Sequence, residues 1–547
     1  MKSKTKPKSS PGPSPTSTQT PSGWQQLRAH YLVLALLLLG IVALFSYTVA
    51  IRAPWFGTLS TSPFDGHHQW LTGSTVKFIK NWYREGAWHL GFLMLQNPRS
   101  VEFPTLESRV IYPSYPPGTL LPLFGICKLI HQEATPPLVE GFNLANHLLI
   151  ACGLALIVYL LLARLALPPV HAGLFALIPP LIVLLLPAPL YFFQNVFFSD
   201  QAIVLPFVLM ILGEVLREYP LSDRQRRGLD IAQGVLLWYG FFTDWLFVFI
   251  GIVLYAKRLL RGEIPMRGRE FFTRSLAFWL GPAIALALFA LQLTVYHQWS
   301  VLFGTFLLRT ASTTEALQDM AKVHFFQRFW TGFVSVGYGG LAVWLLWGSL
   351  LGVCAALLAL WRTRREPEPN RPVLVALLSL MSITLLPCFI EIYTLKHHSY
   401  VHDFAALKFL VPLSIVPFVL LPVYWLAWRR RIPLRVAPAM TGVSFSPALL
   451  AVNLVLLLCV SVYTLSLHPQ YRNFFPTPLP VTADQVKYFA QFDYHDILVS
   501  RQHEIPFNPP QMLSYTMKRV YKITTPKDLE PIIAGIREPY QVVEVPF

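Results

Sequence analysis

The sequence has few charged residues for its length. Asp, Glu, Lys and Arg make up only 13% of the 547 residues, whereas soluble domains carry about 25%. This shortage excludes a soluble protein, because the chain lacks the charge to cover a water-facing surface of its size. Hydrophobic residues make up 54%, and their long runs predict an all-α polytopic membrane protein.

Cysteine is also scarce. The five residues Cys127, Cys152, Cys354, Cys388 and Cys459 lie far apart, and none belongs to a Cys-x-x-Cys pair. This spacing excludes a disulfide framework and a cysteine zinc site. We interpret the cysteines as small buried hydrophobic residues.

The apolar runs divide the chain into regions. Residues 1–30 are basic and rich in Ser, Thr and Pro, which predicts a disordered cytoplasmic segment. Residues 31–467 form the predicted membrane domain, in which 52–138 is a long first outer loop. Residues 468–547 are predicted to form a small α/β extracytoplasmic domain. Candidate spans of about 20 residues lie at 31–51, 139–163, 170–192, 199–216, 275–296, 334–360, 373–395, 405–427 and 447–467.

The stretch 229–257 is apolar but is interrupted by FFTDW. We interpret it as a hairpin of two short helices with Asp244 near its tip, which gives about eleven spans; one long kinked helix is the alternative. The first outer loop contains AWHLGFLMLQ (87–96) and GTLLPLFGICKLI (118–130). These segments are too short to span a bilayer and are predicted to be interfacial helices.

Lys and Arg indicate the orientation. The N-terminus and the loops predicted on its side hold 24 of them in 87 residues, whereas 52–138, of equal length, holds only 7. By the positive-inside rule the N-terminus is cytoplasmic and the C-terminus extracytoplasmic. The hairpin is required for this alternation. The net charge of +16 therefore reflects topology, and no nucleic-acid partner is predicted.

Ionisable groups near membrane spans are costly and therefore tend to be functional. The first cluster, in FDGHHQW, holds Asp65, His67 and His68 directly after the first span. A carboxylate there suits a general base, and a helix N-cap is the alternative for Asp65. A metal ion bound by Asp65 and the two histidines is a second alternative.

Two further motifs lie on the same predicted face. YPSYPPG (112–118) offers Tyr112 and Tyr115 on a proline-fixed bend, although interfacial anchoring also explains these residues. Asp200 opens the apolar run SDQAIVLPF. It is either a second functional acid or the N-cap of that helix.

The fourth cluster, TLKHHSYVHDF (394–404), lies between two predicted spans. It suits a phosphate or pyrophosphate, whose charge Lys and protonated His are able to hold. A polar turn that contacts lipid headgroups is the alternative. The residues concerned are Lys396, His397, His398, His402 and Asp403, with Lys408 one turn further on.

In this order, the motifs resemble those of the GT-C superfamily, the polytopic glycosyltransferases that use lipid-linked sugars. The likeness is to the bacterial branch related to protein mannosyltransferases and lipid A aminoarabinose transferases. It rests on PFDGHHQW, YPSYPPG, FFSDQAIVLPF, FFTDW and VHDFAALKFLVPL, and it covers residues 31 to about 427. Two departures stand out. Many relatives have a second acid beside the first, and they often have Thr-Lys in the hairpin, where this chain has Asp244.

The resemblance implies a GT-C-like fold and a sugar donor on polyprenyl phosphate or diphosphate. The acceptor, a glycan, lipid or protein, binds from the extracytoplasmic side. Asp65 is then the base, and Asp200 positions the base or the acceptor. The implied donor-phosphate ligands are Lys396, His397, His398, His402, Asp403, Lys408, Arg84 and Arg109, with Arg309, Lys322 and Arg328 as further outer-loop cations; His67, His68, Tyr112, Tyr115 and Asp244 line the pocket.

Two other functions are compatible with the same residues. A transporter or flippase for a lipid-linked anion also needs charges between spans, but places them near the bilayer midplane, often within paired repeats. A non-catalytic scaffold of the same fold is the other. No cofactor is predicted, a divalent metal being the alternative. The expected location is a bacterial inner membrane, among membrane lipids.

Overall fold

The computed structural model describes residues 23–61, 68, 70–164, 167–362, 371–428, 447–474, 487–489, 491–501 and 517–545. Asp65 and His67 lie outside these residues. The described part is mainly helical. Its α-helices, α1 to α21 in chain order, are Gly23–Thr61, Trp70–Glu85, Leu121–Leu129, Pro136–Arg164, Pro169–Ala176, Ile178–Leu185, Pro187–Asn195, Ser199–Ala202, Val204–Arg217, Asp223–Phe241, Leu246–Leu260, Arg269–Val295, Trp299–Arg309, Thr314–Lys322, Ser335–Tyr338, Gly340–Arg362, Arg371–Thr394, Lys396–Val401, Leu410–Trp428, Pro447–Leu467 and Glu530–Ile533. Pro117–Leu120, Asp403–Phe409, His468–Phe474 and Pro526–Leu529 are 3-10 helices, and Gln327–Val334 is a π-helix.

Several helices are long and apolar enough to cross a bilayer. Five such stretches occur among the described residues, at Arg28–Ile51, Pro136–Arg164, Ser199–Arg217, Arg269–Val295 and Pro447–Arg472. Two bent pairs raise this number to seven; they are Pro169–Leu185 with Pro187–Asn195, bent by 63°, and Gln327–Tyr338 with Gly340–Cys354, bent by 115°. The protein is therefore an integral membrane protein, while the count of about eleven spans stays a prediction.

Proline breaks the third predicted span into α5, α6 and α7. Since each interior proline removes a backbone donor and disturbs the helix, carbonyl groups are left for other partners. Two side chains of α4 bind carbonyl groups of this span. At the end of α7, Asn143 Nδ2 donates to Phe192 O at 3.0 Å, which also accepts from Val196 N, and to Val196 O at 2.8 Å. His147 Nε2 lies 2.9 Å from Val183 O. The broken span is thus fixed against α4 by buried hydrogen bonds.

The stretch that FFTDW interrupts consists of two helices, α10 and α11, as the hairpin interpretation predicts. Asp244 lies in the turn between them, and its Oδ1 accepts a hydrogen bond from Leu246 N at 2.9 Å. This contact satisfies a free N–H group at the start of α11. Asp244 is thereby fixed at the tip of the hairpin.

The C-terminal end of α9 is held by a group of buried charged residues. Glu214 is buried and pairs with Lys257, and it lies 3.3 Å from Arg258 Nη2. Gln233 Nε2 of α10 donates to Glu214 Oε1 at 2.8 Å. These contacts tie α9, α10 and α11 together at the end that the Lys and Arg pattern assigns to the cytoplasm.

The first outer loop corrects one expectation. Residues 118–130 are helical over most of their length, but AWHLGFLMLQ (87–96) forms turns rather than an interfacial helix. Gly86 and Gly91 have φ values of 91° and 57°, and Phe92 has 56°. These left-handed conformations are incompatible with a right-handed helix. The loop instead contains the buried helix α2.

The C-terminal segment contains a parallel sheet of three short strands. β1 (Asp496–Ser500) lies in the centre, between β2 (Val520–Lys522) and β3 (Gln541–Glu544). Val101 of the first outer loop packs on one face of this sheet, and its N–H donates to Tyr494 O at 3.1 Å. The sheet therefore docks on the first outer loop.

The cysteines are all free. Cys127 and Cys388 are buried and Cys152 is half-buried, as expected for small hydrophobic residues. Cys354 and Cys459 are exposed, so the prediction of burial is wrong for these two. Both lie on long apolar helices, where the low polarity of a thiol is tolerated next to lipid.

Candidate active site

A buried lysine lies at the centre of the candidate site. Lys408 Nζ is 3.2 Å from Asp200 Oδ1 and 3.4 Å from Asp244 Oδ1, and it also pairs with Glu391. Each of these four side chains is at most 3% exposed. We name Asp200, Asp244, Glu391 and Lys408 the Lys408 cluster.

Four separate segments supply the cluster. Asp200 lies in α8, Asp244 between α10 and α11, Glu391 near the end of α17, and Lys408 in the 3-10 helix Asp403–Phe409. Helix ends therefore converge from distant parts of the chain. Phe198, and not Asp200, occupies the N-cap position of α8. The N-cap alternative for Asp200 is wrong, because its carboxylate faces Lys408.

Glu391 is the member of the cluster that sequence reasoning missed. It lies in CFIEIYT, inside the predicted span 373–395. The available signal was a single carboxylate within an apolar run, which is costly unless it is paired. The denser polar cluster at 394–404 is the stronger signal in the sequence.

The YPSYPPG segment docks directly on the hairpin tip. Gly118 N donates to Phe242 O at 2.6 Å, and Trp245 Nε1 donates to Ser114 O at 3.1 Å. A Cβ atom on Gly118 would lie 2.1 Å from Phe242 O. Only glycine allows this close approach, so the segment fixes the position of the hairpin that carries Asp244.

An aromatic and cationic wall adjoins the cluster. The Arg309 guanidinium lies 4.6 Å from the centre of the Tyr115 ring, within the range of a cation–π interaction. Tyr115 Oη lies 3.4 Å from His398 Nε2. Tyr112 stands further along this wall, with its ring 6.0 Å from that of Phe198. Arg309 is a cation held close to the cluster.

Three histidines lie beside this wall. The ring centroids of His398 and His402 are 4.8 Å apart, and those of His68 and His402 are 6.0 Å apart. Burial lowers the pKa of His398 well below its usual value and that of His402 to about 4. Both imidazoles are therefore neutral near pH 7. The protonated histidines expected from the sequence are absent at these two positions, where a neutral ring still offers one N–H donor.

His68 is held by a carboxylate. Its Nε2 lies 3.0 Å from Asp403 Oδ1, and Trp70 Nε1 donates to its Nδ1 at 3.2 Å. His68 has a φ of 61°, a conformation that costs a non-glycine residue free energy. The structure thus brings the end of the first-loop motif FDGHHQW against VHDF, two motifs that sequence reasoning assigned to one site.

Two of the predicted cationic residues, Lys322 and His397, lie against Asp319. Lys322 Nζ lies 2.8 Å and His397 Nε2 lies 3.5 Å from its carboxylate, and Tyr400 Oη donates to its backbone oxygen at 2.9 Å. The Lys322 ammonium lowers the pKa of Asp319. The segment that contains α14 therefore docks on α18.

The remaining predicted cations have other immediate surroundings. Lys396 Nζ lies 5.5 Å from the centre of the Phe325 ring, and Arg328 Nε donates to Tyr400 O at 3.5 Å. Arg84 pairs with Glu133 at 2.7 Å, and Arg109 pairs with Glu85 at 2.6 Å. Within the described ranges, neither Arg84 nor Arg109 forms an ion pair with the Lys408 cluster. The phosphate-binding roles of all these residues stay predictions.

Another buried lysine lies in the first outer loop. Lys77 of α2 is 1% exposed, and its Nζ donates to Gln96 Oε1 at 3.2 Å. Burial lowers the pKa of Lys77 to about 7. Lys77 was not selected from the sequence, because nothing in a single sequence separates a buried lysine of an outer loop from an exposed one.

Metal binding has limited support in the described part of the chain. There, no group of three or more His, Cys, Asp or Glu side chains has the arrangement that a metal ion requires. The alternative of a metal between Asp65, His67 and His68 lies mostly outside the described residues. The expectation that no cofactor is needed therefore stays a prediction.

Comparisons with known proteins identify the fold. No known protein family matches the chain, and no curated protein matches its sequence. The oligosaccharyltransferase of Archaeoglobus fulgidus, crystallised with a tethered acceptor peptide containing the NVT sequon, aligns with 92% of this chain at 13% identity and a TM-score of 0.52. The alignment spans 65% of that protein's length.

ArnT from Cupriavidus metallidurans also aligns with the chain. Its structure bound to undecaprenyl phosphate aligns over 92% of this chain and 90% of its own, at 15% identity and a TM-score of 0.45. Its apo structure aligns over 93% of both chains at 14% identity and a TM-score of 0.44. At such low identities the likeness to the oligosaccharyltransferase bears on the fold alone: the chain shares the helical membrane fold of that protein.

Proposed function

We propose that the protein is a membrane glycosyltransferase that moves a sugar from a polyprenyl-phosphate carrier to an acceptor on the extracytoplasmic face. The observation that carries this proposal is the Lys408 cluster, in which Asp200, Asp244 and Lys408 meet at helix ends. The fold supports it, because the chain shares that fold with an oligosaccharyltransferase whose structure holds an acceptor peptide. A glycan, a lipid or a protein is the acceptor.

The reaction needs one base on the acceptor side. In this proposal Asp65 takes the proton from an acceptor O–H or N–H group, and Asp200 positions Asp65 or the acceptor. The acceptor atom then attacks the anomeric carbon of the sugar as the bond from that carbon to the phosphate oxygen breaks. The electron pair leaves with the polyprenyl phosphate, which is already ionised and needs no proton. A single displacement inverts the anomeric configuration.

The phosphate requires cationic and N–H groups on the opposite side of the sugar. Arg309, held over the Tyr115 ring, is suited to stabilise the departing phosphate. The neutral rings of His398 and His402 supply N–H donors, and Lys396 supplies a further charge. Tyr112 and Tyr115 offer apolar rings for the carrier or the sugar.

The arrangement favours this function over transport. Transporters hold their substrates near the bilayer midplane. In this chain Asp200, Asp244 and Lys408 lie at or beside helix ends. A scaffold, in turn, has no need for three buried carboxylates around one ammonium, because such groups are costly to bury.

The direct test is transfer by the purified full-length protein in proteoliposomes. Radiolabelled pentoses and hexoses on polyprenyl phosphate are offered with an extract of cell-envelope acceptors, and release of polyprenyl phosphate is measured. We expect wild-type turnover and a loss of about 10²-fold in Asp200→Asn, since misplacement of the reacting groups by about 1 Å costs that much. Asp223→Asn, at the exposed start of α10, is the matched control and retains activity. The proposal is contradicted if the wild type turns over none of the donors, or if wild type and Asp200→Asn have equal rates.

A further inference from the structure

Glu391 lies inside a long apolar helix, whereas Asp200 lies at the start of the short helix α8 and Asp244 lies in the turn before α11. It lies one turn before the end of α17 and is 2% exposed. One carboxylate oxygen pairs with Lys408, while its Oε2 has no hydrogen-bond partner among the described residues. Burial of an acid in so apolar a helix costs free energy, and acids that are kept there tend to be functional. We therefore expect its contact with Lys408 to have a function.

The cluster contains more acids than bases. Three carboxylates contact one ammonium group, and the nearby Arg309 is occupied by the Tyr115 ring and by Ser114 O at 3.5 Å. The position of the ammonium therefore decides which carboxylate is neutralised. Lys408 donates a hydrogen bond to Glu391 and stands 3.2 Å and 3.4 Å from the two aspartates.

This geometry has a consequence for Asp200. Without the pull of Glu391, the ammonium has only the two aspartates as partners and closes on them, because opposite charges attract strongly where water is excluded. Asp200 Oδ1 already lies 3.2 Å from Lys408 Nζ. Loss of Glu391 therefore strengthens an existing ion pair, which holds that oxygen more tightly and leaves it less able to contact an acceptor or Asp65.

We propose that Glu391 is a positioning residue that anchors Lys408 and thereby keeps Asp200 available for the acceptor side of the reaction. The inference rests on the proposed function and deepens it. Glu391 acts only through Lys408 and does not itself contact substrate. The charged and titratable groups that face this unit are Asp200, Asp244, Cys388, Tyr115, Arg309 and His398.

The test compares Glu391→Gln with two other variants of the full-length protein in the transfer assay. Glu214→Gln is the matched control, since Glu214 is equally buried and pairs with a lysine at the opposite end of the helices. Glu391→Asp retains the charge on a shorter side chain. The readouts are kcat, the KM for the lipid-linked donor, and the dependence of kcat on pH.

For Glu391→Gln we expect kcat to fall about tenfold with an unchanged donor KM, the signature of a lost effect on the reacting state. The acidic limb of the pH profile moves to lower pH, because removal of one negative charge makes protonation of the remaining acids harder. Glu391→Asp restores the wild-type limb, and Glu214→Gln never moves it. An unmoved limb in Glu391→Gln, or equal behaviour of the Gln variants at 391 and 214, overturns the proposal.

A second measurement separates this inference from the proposed function. Lys408→Met is combined with Glu391→Gln, and the yield of folded protein in detergent is measured. Anchoring predicts that the double variant folds better than Lys408→Met alone, because one unpaired buried acid has been removed. If the wild type transfers no sugar, the proposed function is contradicted, but the folding yields of these variants still test the anchoring. A double variant that is worse than Lys408→Met overturns the anchoring in either case.

Discussion

Lys408 Nζ lies 3.2 Å from Asp200 Oδ1, although the two residues are 208 positions apart in the chain. Both side chains are 2% exposed. A buried carboxylate and a buried ammonium depend on each other, because either one alone carries a large desolvation cost. The contact therefore links the start of the fourth predicted span to the segment before α19.

Removal of the ammonium should be costly. Lys408→Met leaves three buried acids without a cation, and we expect a loss of about 3–5 kcal/mol in the free energy of unfolding. Thermal unfolding in detergent measures it. Lys257→Met is the control: Glu214 keeps Arg258 at 3.3 Å and Arg217 at 3.7 Å, so its loss should be smaller. Equal losses for the two variants would mean that Lys408 is not shared among the acids.

The close contact at Gly118 gives a test of the hairpin position. Gly118→Ala would place a Cβ atom 2.1 Å from Phe242 O and should displace the tip that carries Asp244. We expect loss of transfer activity together with a lower Tm. Gly125→Ala in α3 meets nothing within 4 Å and should leave both unchanged. A fully active Gly118→Ala protein would show that the YPSYPPG segment does not position the site.

The His68–Asp403 pair joins two loop motifs. Asp403→Asn keeps the shape of the side chain and removes its charge, so the 3.0 Å contact to His68 weakens. We expect a stability loss of about 1–3 kcal/mol and a reduced kcat, measured by thermal unfolding and by the transfer assay. Asp528→Asn, in the C-terminal segment, is the control for kcat. An unchanged kcat in Asp403→Asn would show that the pair only supports the fold.

Lys77 predicts a pH dependence of stability. Its pKa is about 7 in the folded protein and 10.5 in the unfolded chain, so the unfolded state binds more protons between these values. Stability therefore rises with pH across this window. Lys77→Met should be more stable than wild type at pH 7, and the difference in Tm should shrink toward pH 10. A difference that is constant with pH would contradict burial of Lys77.

Hydropathy and charge patterns were sufficient to predict much of this architecture. Apolar runs predicted the membrane helices, and the alternation of basic loops required a break within 229–257, where α10 ends and α11 begins. The same reasoning placed Asp200, Asp244 and Lys408 on one side of the membrane. Their mutual contact follows from helix packing, which a single sequence does not specify.

Other features depend on tertiary contacts that no local pattern encodes. Arg84 and Arg109 were predicted near the phosphate, but each has a carboxylate partner within the first outer loop, Glu133 and Glu85. A cation in an acid-containing loop has several potential partners, and only packing selects one. Similarly, residues 87–96 are apolar enough for an interfacial helix, but their backbone is turned at Gly86 and Gly91.

The central claim is that the Lys408 cluster supports sugar transfer at the extracytoplasmic face. Its most direct test is transfer in sealed vesicles of known orientation, with a membrane-impermeant acceptor and a radiolabelled polyprenyl-phosphate sugar in the bilayer. We expect product when the acceptor faces the side of the 52–138 loop, and none when it faces the basic loops or when Asp200 is replaced by Asn. Product formed only from the side of the basic loops, or undiminished in Asp200→Asn, would contradict the account.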